Sequence, residues 1–161
     1  MTTVKPIPDG YHSITPALVS HNANGAIEFY KKVFGATEKG GRALGPDGKI
    51  MHSELQIGDS IIFVNDTMGP GSSLGPEPKI HPLQLHLYVP NADQVFERAV
   101  KAGARVTEPL QDMFWGDRFG KIVDPDGHTW AIATHVEDVA PQEMERRMRQ
   151  FTAKAAAAQH G

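Results

Sequence analysis

Polar side chains that could do chemistry recur two residues apart in two strings of this chain: His52 and Glu54 in Met51-His-Ser-Glu54, and Gln84, His86 and Tyr88 in Leu83-Gln-Leu-His-Leu-Tyr-Val89. Side chains alternate across an extended strand, so each set shares one face. Imidazole titrates near neutrality, which makes His86 a candidate for proton transfer. Glu54 is a second candidate base, or a partner for His52. Arg118, after Gly116-Asp117, offers a planar donor fork to an anionic or carbonyl group. Met113-Phe-Trp115 could wall a cavity with aromatic surface. Plainer readings stand beside each. The polar sets could be solvated sheet faces, Arg118 could pair with Asp117, Asp124 or Glu54, and the aromatics could simply pack. Asp124-Pro-Asp-Gly127 reads as a turn.

Composition narrows what these groups can do. The chain has 161 residues, 16 Lys+Arg against 19 Asp+Glu for a net charge of −3, and no cysteine. One domain is the default at this length. The charge balance lacks the basic face that nucleic acid requires. Absence of cysteine removes disulfides, thiolate nucleophiles and cysteine-held metals. The start of the sequence carries no apolar h-region, so no secretory signal is expected. Its longest strongly apolar run, Ile61–Val64, falls far short of the ~20 residues of a spanning helix. A soluble, cytoplasmic domain without a membrane partner is expected.

The elements that must position these groups fall into two similar halves. Amphipathic helices are predicted over Ala26–Ala36 and Gln94–Ala104, ending at Gly35 and Gly103, where a left-handed cap is wanted. A strand precedes each, Ser13–Val19 and Leu83–Val89. Alternation predicts three strands after each helix. They are Thr37–Leu44, Ile50–Ile57 and Ser60–Asn65 in the first half, and Arg105–Leu110, Asp117–Val123 and Thr129–Thr134 in the second. The apolar faces, such as Met51, Leu55 and Ile57, should take the helices. The plan is βαβββ over 13–65, a Gly/Pro-rich linker over 66–82, and βαβββ over 83–134. A further helix over 141–159 carries a Met144, Met148, Phe151 stripe that must pack on its own domain or on a second subunit.

Several strings resemble the vicinal oxygen chelate superfamily, which includes glyoxalase I, extradiol dioxygenases and the fosfomycin and bleomycin resistance proteins; the PhnB-like branch is the nearest. They are Ala26-Ile-Glu-Phe-Tyr30 with Phe34-Gly-Ala36, Met51-His-Ser-Glu54 with Ile57-Gly-Asp-Ser60, Leu85-His-Leu-Tyr-Val89, Trp115-Gly-Asp-Arg118, Asp124-Pro-Asp-Gly-His128 with Trp130, and Ala133-Thr-His-Val-Glu-Asp138. The resemblance implies an α+β fold of two βαβββ modules forming a U-shaped sheet around a cavity, plus the C-terminal helix. Metal-dependent members hold a divalent ion at four positions, one on the first and one on the last strand of each module. Here those positions fall at Thr15, Phe63, Gln84 and Ala131. Only Gln84 is a plausible ligand, so no cofactor is expected there; a shifted divalent site from His52, Glu54 and His86 is the alternative.

The function that follows is binding of a small molecule, without the usual metal. Gln84, Tyr88, His52, Trp115, Arg118, Phe63 and Thr15 are the candidate ligand contacts, and a homodimer is expected from the resemblance. The alternative is a lyase or isomerase acting on a small oxygenated substrate, with His86 or Glu54 as base and Arg118 as charge stabiliser.

Overall fold

The computed structural model describes residues 4–67 and 83–158. Most of the expected linker, 68–82, lies outside the described residues. The chain divides into two compact units, residues up to 67 joined by the Asp124–His128 turn, and residues 83–123 with 129–158.

In the first unit, β1 (Ala17–Ser20), α1 (Ala23–Phe34), β2 (Thr37–Glu38), β3 (Ala43–Leu44), β4 (Ile50–His52), β5 (Glu54–Ile57) and β6 (Ser60–Asp66) follow in order. The sheet runs β1-β6-β5-β2, with β3 and β4 paired apart from it. Parallel β1 and β6 align Ala17 with Phe63, and antiparallel β5 aligns Glu54 with the same Phe63. α1 begins at Asn22, whose side chain accepts the Gly25 N–H at 2.9 Å. It ends at Gly35, left-handed at φ 69°, a conformation glycine adopts without a Cβ penalty. Its apolar face, Ile27, Tyr30 and Val33, is fully buried, as are Leu55 on β5 and Val64 on β6.

Local chemistry moved several strand boundaries. β1 starts after Pro16, which has no N–H to give a ladder; the Pro16 carbonyl instead accepts the Phe63 N–H at 2.8 Å. The strand expected over Thr37–Leu44 breaks into β2 and β3 around Gly40-Gly41, and the one over Ile50–Ile57 divides at Ser53. Ser53 is buried and donates its hydroxyl to the Val64 carbonyl, taking the helix-side place expected of Met51, which is 49% exposed.

The second unit contains β7 (Gln84–Tyr88), α2 (Ala92–Lys101), β8 (Arg105–Asp112), β9 (Asp117–Val123), β10 (Thr129–His135) and α3 (Pro141–Ala158). Its sheet runs β7-β10-β9-β8, with parallel β7 and β10 aligning His86 with Ala131. Asn91 caps α2 by accepting the Gln94 N–H at 3.0 Å. The helix stops at Lys101, earlier than expected, and Gly103 follows at φ 99°. Gly120 sits where a Cβ would approach the Phe96 ring to 2.8 Å, so glycine lets α2 lie close on β9. α3 buries none of its residues; Met148 and Phe151 are each 51% exposed. The Phe151 ring lies 5.1 Å from Phe114, and Arg147 donates to the Phe114 carbonyl at 3.2 Å, so the helix does contact its own unit.

Each unit thus repeats βα followed by antiparallel strands, with a parallel pairing of first and last strand. Phe63 and Ala131 correspond at a spacing of 68, Ala17 and His86 at 69. A ring faces a small side chain in both pairs, on opposite strands.

Candidate functional site

Parity puts Glu54 and Phe63 on the face of the first sheet opposite α1, because Leu55, Ile62 and Val64 are committed to the buried side. His52 reaches the same face, its Nε2 3.1 Å from Glu54 Oε1, and its ring stands edge-on to Phe63 at 4.8 Å. The other carboxylate oxygen, Oε2, accepts the hydroxyl of Tyr11, delivered by the segment before β1. The Tyr11 ring lies 6.4 Å from Phe63 and under the Lys39 ammonium, 5.3 Å from its centroid. Tyr11, then His52, hold the Glu54 carboxyl below its ordinary value, while Glu54 raises the Tyr11 phenol. Beside this cluster is a cleft of about 430 Å³, lined by Ile7, Pro8, Tyr11, Thr15, Glu54 and Phe63 among others. Its size suits a small ligand, and its walls combine apolar surface with a few polar groups.

A smaller cavity, about 130 Å³, lies in the same unit between Asn22 and Phe29 of the α1 region and the Asp124–Asp126 turn. Its polar lining is largely committed, apart from Asp126 Oδ2, which is buried without a hydrogen-bond partner 3.8 Å from His128 Nδ1. Asn22 caps the helix, and Asp124 accepts the Tyr30 hydroxyl at 2.7 Å together with the Asp126 and His128 N–H groups at 3.0 Å. Burial opposes charging of His128, but Asp124 and Asp126 outweigh it and hold the imidazole above its ordinary value. This network ties the turn to α1. The 430 Å³ cleft is the better candidate for a ligand.

The second unit carries a different cluster on the face opposite α2. Asp117 is buried, and its carboxylate accepts Tyr88 Oη at 2.9 Å and Trp115 Nε1 at 3.0 Å on Oδ2, with His135 Nδ1 2.9 Å from Oδ1. Burial alone would raise the Asp117 carboxyl, but these donors hold it below its ordinary value. His135 also faces Asp138 through Nε2 at 2.9 Å, and Asp138 followed by Asp117 raises its imidazole. His86 packs on Tyr88 at 4.7 Å and on Phe119 at 5.8 Å, and Trp115 stands edge-on to Phe119 at 5.5 Å. Ala131 and Ala133 form the floor beneath Phe119.

The candidate residues therefore sort by unit. Thr15, His52, Glu54 and Phe63 come together in the first. In the second, Tyr88, His86 and Trp115 join one array, and Gln84 shares their exposed strand face. Arg118 goes elsewhere. Alternation turns it to the α2 side of β9, where it grips Asp93 at 2.7 Å and Asp112 at 3.4 Å. Neither the open face nor a pairing with Asp117, Asp124 or Glu54 is realised. Tyr11, Asp117 and His135 were not singled out from the sequence. Asp117 was legible only as a strand residue of the right parity, and Tyr11 sits in a stretch with no periodicity.

The four positions that the resemblance implies for a divalent ion do not fit one. Phe63 and Ala131 have no donor atom, and Thr15 and Gln84 are neutral. Among the described residues, no group of three or more His, Asp or Glu side chains converges to hold a metal ion. No helix among them is long and apolar enough to cross a membrane.

Comparison with known proteins agrees with this geometry. Residues 12–132 match the family model of the glyoxalase/bleomycin resistance protein/dioxygenase superfamily. An uncharacterized protein of Mycobacterium bovis is 40% identical over 140 residues, covering 84% of this chain and 91% of the relative. The crystal structure of TioX from Micromonospora sp. ML1 superposes with a TM-score of 0.61 at 29% identity, covering 78% of this chain and 99% of TioX. A PhnB protein from Bacillus cereus shares the fold, with a TM-score of 0.59 at 19% identity over 76% of this chain and 99% of that one. With two βα-led four-stranded sheets and a family match across both, the chain belongs to the glyoxalase/bleomycin resistance protein/dioxygenase superfamily.

Proposed function

We propose that this protein binds a small, largely apolar molecule in the first unit's cleft, without the family's divalent metal, as a cytoplasmic homodimer. The observation that carries the reading is the 430 Å³ cleft in which Phe63 and Glu54 face the same space. Phe63 stands where the resemblance would put a metal ligand, so the position supplies apolar contact instead of a donor atom. Thr15 and Glu54 add hydrogen-bonding groups at the wall, and His52 braces Glu54. In the second unit, Gln84, His86, Tyr88 and Trp115 give a mixed polar and aromatic face of the same character.

Binding ranks above proton transfer by Glu54 for a specific reason. A general base works best with a pKa near the operating pH, whereas Tyr11 and His52 push Glu54 the other way. The half-exposed Met148 and Phe151 on α3 support the dimer.

Ligand-observed NMR of the full chain against a library of small aromatic and oxygenated compounds tests the reading. Hits should lose binding in Phe63→Ala and keep it when divalent ions are chelated. A library without hits, or hits indifferent to Phe63→Ala, would overturn it. Native mass spectrometry checks the rest. A dimer mass that Met148→Glu dissociates is expected, and one tightly held Zn²⁺, Ni²⁺, Mn²⁺ or Fe²⁺ per chain would overturn the metal-free part.

A further inference from the structure

The side chain of Tyr11 is surrounded by what a free phenol would need. Its hydroxyl has a carboxylate acceptor in Glu54, its ring has an aromatic neighbour in Phe63, and a cation, Lys39, lies over the ring face. Glu54 is in turn fixed by His52, and Lys39 by its backbone N–H, which donates to the Glu54 carbonyl at 2.9 Å. These partners belong to the sheet and its continuation. Tyr11 belongs to the segment 4–16, which carries no strand or helix.

That segment has little else to hold it against the sheet. Val4 is 91% exposed and Ile14 is 84% exposed; of the larger aliphatic side chains only Ile7, 42% exposed at the cleft wall, is buried in part. Tyr11 N–H donates to the Pro8 carbonyl, a bond within the segment, and Lys5 pairs with Asp9 in solvent, also within it. The first backbone bond to the sheet falls at Pro16. Segments with few buried contacts open at low free-energy cost.

We propose that Tyr11 is a built-in occupant of a phenol subsite, and that the protein's ligand carries a neutral hydroxylated aromatic ring that takes the place of Tyr11 on Glu54. The inference rests on the binding reading above and names its ligand class. The subsite sets the class by chemistry. A phenol O–H donates to the carboxylate, which a bare hydrocarbon ring cannot do, and a ring bearing its own carboxylate is repelled by Glu54 at close range. The adjacent 430 Å³ cleft leaves room for the rest of the molecule. Displacement moves the Tyr11 side chain off the face while Ile7, Pro8 and Thr15 keep the wall of the cleft.

The test uses p-cresol, the side chain of tyrosine as a free molecule, titrated into the full chain and followed by chemical shifts of β5 and β6 amides. Tyr11→Ala empties the subsite and should bind p-cresol at least about tenfold more tightly than the parent, a difference of one decade in Kd. Toluene should bind that variant more weakly than p-cresol, and adding Glu54→Leu, which removes the acceptor, should abolish the preference. Tyr11→Phe, which keeps the ring and the packing but frees Glu54, guards against a folding artefact and should give an affinity between the two. Equal p-cresol affinity in the parent and both variants would overturn the proposal, as would a preference for p-cresol over toluene that survives Glu54→Leu. The broader reading fails differently. If library hits bind the parent at Phe63 while Tyr11 substitutions change nothing, only the phenol subsite is wrong; if nothing binds at Phe63 in any variant, both are.

Discussion

Each unit sets a carboxylate among aromatic rings on the sheet face opposite its helix, Glu54 in the first and Asp117 in the second, and the two are used in opposite ways. Asp117 has a side chain 4% exposed and is met by Tyr88, Trp115 and His135. Glu54 has a side chain 25% exposed and is met by His52 and by one tyrosine from a loosely held segment. A carboxylate has about four acceptor positions. Asp117 has spent most of them on its own unit and serves to lock Tyr88 and Trp115 in place. Glu54 borders open space and keeps capacity for something else. Saturation and burial, rather than the presence of a charge, separate a structural carboxylate from a candidate ligand contact.

The largest expected effect lies at the saturated cluster. Asp117→Ala removes a buried carboxylate from three part-buried donors and should lower unfolding free energy by about 2–4 kcal/mol, measured by urea denaturation. Gly116→Ala should cost more than about 2 kcal/mol. Gly116 sits at φ 97°, and an added Cβ would stand 2.1 Å from the Glu137 carbonyl, in the loop that brings His135 to Asp117. Either variant unfolding at the parental midpoint would break the comparison.

Asp124 supplies an intermediate case. Its side chain is 1% exposed, and the Tyr30 hydroxyl is one of several donors to it. Tyr30→Phe should therefore cost about 1–2 kcal/mol by the same measurement, less than losing a whole carboxylate. At the other end, Glu54→Gln should shift stability by no more than about 1 kcal/mol while changing ligand binding. A larger loss would mean that Glu54 is a structural group after all.

A pH titration sharpens the contrast further. His135 is raised above 6.5 by Asp138 and Asp117. A raised folded value means its protonated form contributes stability below about pH 6.5, and the contribution is lost as pH climbs through the folded value. The His135 imidazole resonances should titrate with a midpoint above 6.5, and Asp138→Asn should lower it; a midpoint at or below 6.5 would sink the assignment. Asp117 and Glu54 have the opposite sign. Both are lowered, so their contributions are complete above the ordinary carboxylate range and fade as pH falls below it.

Much of the architecture was legible before any coordinates. Alternation and helical periodicity located both βα units, Gly35 as a left-handed cap, and β9 to the residue. They also placed His52 with Glu54, and His86 with Tyr88, on common faces. Strand parity can do this because it is local, set by two-residue alternation of the backbone. The same rule applied to β9 turns Arg118 away from Asp117, but only the position of α2 says that Asp93 waits on that side.

The order of the two βα units, the polar strand faces and the lack of donor atoms at Phe63 and Ala131 follow from the chain alone, since side-chain identity and period need no tertiary contact. Which charges are spent is settled by the fold. Tyr11 reaches Glu54 across 43 residues, Tyr88 reaches Asp117 across 29, and Tyr30 reaches Asp124 across 94. No local period encodes such pairings. They depend on where the folded backbone brings a hydroxyl within about 3 Å of a carboxylate, and that distance separates the open cleft from the closed cluster.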